Sequence, residues 1–139
     1  DVSQIPLVAV DLPEYALKLA AHFLPGALTL VVPKHPDIPE EVSSLETIGV
    51  RIPDHDFARA LLNAAGPMAV TSANISGADS PVDAKAVYQQ LNGSLPLILD
   101  GSRTRGGVSS TVVDCTQSEI VILREGPITF EQIKAALNS

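Results

Sequence analysis

STVVDCTQSEIVILREGPITFEQIKAAL, residues 110–137, reads as two short apolar strands followed by a helix. Ser110–Asp114 and Glu119–Arg124 are rich in Val, Ile and Thr, and the short polar gap between them suits a hairpin. Phe130–Leu137 then places apolar residues at helical spacing, and Thr129 with Gln132 resembles a capping box in front of it.

The same alternation extends toward the start of the chain. Ala27–Val32, Thr47–Ile52, Met68–Ser72 and Leu95–Asp100 are further strand candidates, separated by helical patterns over Pro13–Leu24, Phe57–Ala65 and Ala84–Leu91. Gly66-Pro67 stops the second of these helices; Asp83 caps the third and Asn92-Gly93 ends it. Hairpins toward the end and helical crossovers earlier predict an α/β fold, one open twisted mixed sheet flanked by helices. Asp1–Val10 opens on an apolar stretch with no cap or turn before it. It reads either as an N-terminal edge strand or as the interior of a domain that starts upstream. Pro33–Glu40 is an exposed connection, and the Gly-, Ser- and Arg-rich Gly101–Ser109 segment is a long one that can move. No repeat or linker divides the chain, so residues 1–139 read as one partial domain.

Composition excludes several classes. No run approaches the roughly 20 apolar residues that span a bilayer, and no secretory signal is visible at the start. Cys115 is the only cysteine, so an internal disulfide is impossible, which suits a reducing cytoplasm. One cysteine with the scattered His22, His35 and His55 makes no zinc set. A net charge of −7 weakens any grip on a nucleic-acid backbone, and the absence of Trp leaves little for base stacking.

The chemistry-bearing residues sit at strand ends. Thr71-Ser72-Ala73-Asn74-Ile75-Ser76-Gly77 follows an apolar run, where it can present hydroxyls and backbone N–H groups to a phosphate or carboxylate. It is equally readable as a local turn in which Asn74 and Ser76 bond only their own backbone. Arg51 lies among apolar neighbours in Thr47–Pro53, where an unpaired guanidinium is costly to bury. It therefore reaches solvent, meets an anion through its bidentate fork, or pairs with Asp54 or Asp56. Gly106–Asp114 leads a Gly pair into hydroxyls, as a plain hairpin turn also would, and Arg124-Glu125-Gly126 sets a cation at a strand end. Phosphate-loop, nucleophile-elbow and dinucleotide-fingerprint motifs are absent, and no His is placed to activate Cys115 or a serine. Such a toolkit positions anions and offsets charge; it does not attack.

In order along the chain, Pro25-Gly26-Ala27-Leu28-Thr29, Gly49–Pro53, Thr71–Gly77, Ser110–Asp114 and Arg124–Gly126 resemble motifs of the YrdC/YciO family. That resemblance implies a YrdC-like fold, incomplete at its N-terminus. It further implies synthesis of L-threonylcarbamoyladenylate from ATP, L-threonine and bicarbonate, with pyrophosphate released. A downstream threonylcarbamoyl transferase complex would then modify adenosine 37 of tRNA. By the same resemblance Arg51, Thr71 and Ser110 hold L-threonine, while Thr47, Ser72, Ala73, Asn74, Pro81 and Arg124 line the ATP site, with Mg²⁺ arriving on the nucleotide. No residue is assigned a covalent catalytic role, no resident metal is expected, and no membrane partner is implied.

This sequence departs from the family pattern in two places. The family's Pro-Thr-Glu-Thr stretch and Lys-x-Arg motif have no counterpart in it, so the chain alone is expected to bind ATP weakly, catalyse little and self-associate through exposed sheet edges. Arg105 stands where family members often have Pro. Competing readings are a double-stranded RNA-binding module without synthase activity, a carbamoyl-transfer domain like that of HypF proteins, and a purely structural fragment.

Overall fold

The computed structural model describes residues 1–104 and 108–138. Arg105, Gly106 and Gly107, which the sequence reading singled out, lie outside the described residues. Backbone contacts group the chain into two compact units, one built from Asp1–Met68 with the segment from Ser109 onward, the other Ala69–Val108.

In the first unit β1 (Leu28–Pro33), β2 (Thr47–Val50), β3 (Thr111–Asp114) and β4 (Val121–Arg124) form a sheet in the order β2-β1-β3-β4. β1 is antiparallel to β2 and parallel to β3, and β3 is antiparallel to β4, so the sheet is mixed as expected. The two-residue period of a strand separates its faces. Leu28, Leu30 and Val32 of β1 and Thr111 and Val113 of β3 are buried, and their alternate neighbours are only half-buried. α1 (Glu14–Phe23) and α4 (Phe130–Leu137) contribute Ala16, Leu19, Ala20, Ile133 and Ala136 to the same core. The apolar stripes of the two helices therefore pack on one face of the sheet.

Most helix signals act as read. Thr129 Oγ1 accepts from Gln132 N at 3.3 Å while Gln132 Oε1 accepts from Thr129 N at 2.8 Å, completing the capping box of α4. Gly66 ends α2 (Asp56–Ala65) at φ +86°, a left-handed geometry that a side chain resists. His55 caps the start of α2, with Nδ1 accepting from Ala58 N at 3.4 Å, a role the sequence reading did not assign.

Three expectations are corrected. Val2–Leu7 is a 3-10 helix, not an edge strand, and it does have a cap, since the Asp1 carboxylate accepts from Ser3 N at 2.9 Å. Pro6 has no N–H for a ladder, which disfavours a strand there. Met68–Ser72 and Leu95–Asp100 have no regular structure, and Met68, Val70, Leu95, Leu97 and Leu99 stay exposed. β propensity needs a partner to take up backbone groups, and Pro67 and Pro96 remove donors at or inside these runs.

In the second unit α3 (Ala84–Leu91) starts at Asp83, whose Oδ1 accepts from Ala86 N at 2.8 Å. Thr104 donates to the Val82 carbonyl from both its N–H, at 2.8 Å, and its hydroxyl, at 3.2 Å. No helix among the described residues is long and apolar enough to cross a membrane.

Candidate functional site

The register of the sheet aligns several of the chosen residues. Thr29 of β1 lies across from Val112 of β3, and Val112 lies across from Arg124 of β4. Arg51 comes directly after β2, one step beyond the Leu30–Val50 pair. This rung belongs to the face opposite Leu28 and Leu30, and Ser110 shares it by alternation with Val112.

Arg124 reaches that face because of a bulge. Val112 pairs with Arg124 but Val113 pairs with Ile122, leaving Leu123 as an extra residue. Ile122 packs against the core, so in a regular strand Arg124 would share its side. The bulge re-aims the guanidinium to the other side. There Arg124 Nε donates to the Ser110 carbonyl at 3.0 Å and Nη2 donates to Ser110 Oγ at 3.2 Å. Ser110 Oγ is also 2.7 Å from Thr29 Oγ1. Ser110 is buried, at 4% exposure. Its neighbour Thr111 is fixed from the core side, its hydroxyl donating to the Ile128 carbonyl at 2.8 Å and accepting from Ile128 N at 3.0 Å.

Arg51 Nε donates to the Gly26 carbonyl at 3.0 Å, and the residue is exposed. Among the described residues it forms no ion pair with Asp54 or Asp56; Asp56 instead lies 3.9 Å from Arg59. Of the alternatives open in the sequence, the salt bridge is therefore not formed among the described residues, and Arg51 is exposed. Thr47 shares the face of Arg51 by alternation but pairs with Pro33. Four residues of strand put it roughly 13 Å from Arg51.

Thr71, Ser72, Ala73, Asn74 and Pro81 belong to the second unit. Thr71, Ser72 and Ala73 are exposed, while Asn74 and Pro81 are half-buried. The local-turn reading is realised in part, since Asn74 Nδ2 donates to the carbonyls of Ile75 and Ala78, both at 2.9 Å. Gln90 of α3 braces this loop, accepting from Ile75 N at 3.3 Å and donating to the Asp79 carbonyl at 3.1 Å. Its role escaped the sequence reading because a Gln on a helix gives no local sign of a partner 15 residues away. Asn74 Oδ1 is buried and has no hydrogen-bond donor among the described residues.

Cys115 is buried, and its thiol is pushed up to about 12, first by burial and then by the Asp114 charge. It is a packing residue. Among the described residues no group of three or more His, Cys, Asp or Glu is placed to hold a metal ion.

The Sua5/YciO/YrdC family profile, described as "telomere recombination", matches residues 1–126. The threonylcarbamoyl-AMP synthase of Bacillus subtilis is 44% identical over 140 residues, covering 99% of this chain and 40% of the relative. The crystal structure of Pyrococcus abyssi Sua5 complexed with L-threonine matches with a TM-score of 0.91 at 40% identity, over 98% of this chain and 41% of that one. E. coli YciO matches with a TM-score of 0.81 at 29% identity, over 91% of this chain and 63% of that one. The chain thus spans about two fifths of the length of the first two relatives. Its mixed sheet and its sequence place it together with them: the chain belongs to the Sua5/YciO/YrdC family.

Proposed function

We propose that this chain supplies part of the L-threonine contacts and part of the ATP contacts of a cytoplasmic threonylcarbamoyl-AMP synthase. The observation that carries the reading is the row of Arg51, Ser110 and Arg124 on one face of the sheet, with Ser110 held by Arg124 and the Arg51 fork without a partner among the described residues. A guanidinium fork matches a carboxylate in shape and charge. In the reading, Arg51 takes the threonine carboxylate, and Ser110 and Thr71 are further threonine-binding residues. Thr47, Ser72, Ala73, Asn74, Pro81 and Arg124 line the nucleotide. The threonine amine captures carbon dioxide, supplied by bicarbonate, as a carbamate. A carbamate oxygen bonds to the α-phosphorus of ATP while the bond to the β-phosphate oxygen breaks, giving threonylcarbamoyl-AMP and pyrophosphate. The side chains align the partners and offset charge on the phosphates. In this reading Mg²⁺ arrives on the nucleotide. The product would pass to a threonylcarbamoyl transferase complex acting on tRNA adenosine 37.

The test is pyrophosphate release by the natural full-length protein, with ATP, L-threonine and bicarbonate each omitted in turn. Release that needs all of them is expected, and release indifferent to threonine would overturn the reading. Arg51→Ala is expected to raise the KM for threonine about tenfold or more while moving the KM for ATP far less, because a charged hydrogen-bond pair is worth about 1.5–3 kcal/mol. Equal effects on both would remove Arg51 from the threonine carboxylate. The 139-residue chain, which contains no Lys-x-Arg, is expected to bind ATP more weakly than the full relatives.

A further inference from the structure

Ser110 has a hydroxyl with one proton to give and two lone pairs to fill. Arg124 can only donate, so its Nη2 at 3.2 Å occupies one lone pair. Among the described residues the other hydrogen-bond neighbour of Ser110 Oγ is Thr29 Oγ1 at 2.7 Å, a contact in which either oxygen can be the donor. On the threonine role proposed for Ser110, the direction follows from what its hydroxyl would face. Were Ser110 to donate to Thr29, it would turn only a lone pair toward a substrate carboxylate, which itself has only lone pairs.

We propose that Thr29 is a positioning residue, donating into the second lone pair of Ser110 so that the Ser110 proton is directed at a substrate oxygen. The inference rests on the threonine role proposed above for Ser110. Thr29 is suited to the task by its place in the sheet. It sits in β1 between β2 and β3, and its branched Cβ restricts its rotamers. Gly49 of β2 leaves room for it, since a Cβ added there would stand 3.2 Å from Thr29 Cγ2. Among the described residues Ser110 is the only hydrogen-bond partner of the Thr29 hydroxyl. Thr29 has no contact with substrate in this proposal and acts through Ser110.

The experiment is steady-state synthesis by the natural full-length protein carrying Thr29→Val, Thr29→Ser, Ser110→Ala or the Thr29→Val/Ser110→Ala pair. Thr29→Val is expected to raise the KM for threonine about tenfold, the effect of one lost hydrogen bond of about 1.4 kcal/mol. The KM for ATP stays within about twofold, Thr29→Ser restores the wild-type value, and the double variant is no worse than Ser110→Ala alone. Equal shifts of both KM values, a Thr29→Ser no better than Thr29→Val, or effects that simply multiply in the double variant would each overturn the proposal. Should Thr29→Val not fold, Thr29→Ala is read against Thr29→Ser in its place. An active wild type with an indifferent Thr29→Val defeats this inference alone. A wild type with no threonine-dependent release defeats the proposed function and takes this inference with it.

Discussion

Gly126 stands where no side chain fits. A Cβ there would run into Thr111 N and would lie 2.7 Å from both Ser109 O and Ser110 C. The glycine of Arg124-Glu125-Gly126 is thus explained by the backbone it must approach, the same backbone that presents Ser110. Gly126→Ala is expected to cost about 1–3 kcal/mol in urea unfolding, as overpacking does, and to raise the KM for threonine through the displaced Ser110. A substitution without effect on either would mean that the segment yields freely. Cys115 has consequences of a different kind. Its ordinary value of 9 rises to about 12 on folding, mainly through burial. Between those values the unfolded chain releases the proton and the folded chain keeps it, so this contribution to stability is full below pH 9 and lost as the pH climbs toward 12. The urea midpoint should fall over that window, and Cys115→Ala should flatten the fall. A residual slope of the same sign is expected from Tyr15, whose phenol is raised first by burial and then by the charges of Cys115 and Asp114. The native thiol should also resist an aromatic disulfide reagent at about pH 8 until denaturant is added.

Among the elements, α4 shows how much a cap contributes. Thr129→Ala removes half of its capping box and is expected to cost about 1 kcal/mol in urea unfolding with little change in slope. That cap was legible in the sequence because it is local, with partners three residues apart. The same holds for Asp83 ahead of α3 and for Gly66 behind α2. The core strands were legible through their apolar runs, and β1 alternates in burial as its sequence requires. Met68–Ser72 and Leu95–Asp100 misled for the complementary reason. Their composition suits a strand, but a ladder partner is a property of the fold and leaves no mark on the run itself. The bulge at Leu123 was hidden in the same way, since nothing in Val121–Arg124 distinguishes a regular strand from a shifted one. Arg51 and Ser110 were readable as candidate anion contacts, whereas the Thr29–Ser110 bond joins residues 81 apart and needed the register to be seen.

For the whole molecule, charge and exposed apolar surface set the expectations. A net charge of −7 leaves few phosphate-neutralising contacts. Titration with double-stranded RNA between about 50 and 200 mM salt is therefore expected to give no binding with a steep salt slope, and such a slope would favour the RNA-binding alternative. Among the described residues β2 and β4 each have one neighbour in the sheet, and Val121 and Leu123 on β4 are exposed. Sedimentation of the 139-residue chain is accordingly expected to show association that grows with concentration. The Leu123 bulge has a bearing on sequence length as well as on geometry. Excising the Leu123 codon alone would straighten β4 and leave the arginine directly after Ile122, across from Val112 and on the same face as Val112. The hairpin should therefore tolerate that single loss, whereas a straightened strand that kept Leu123 would turn the cation toward the core.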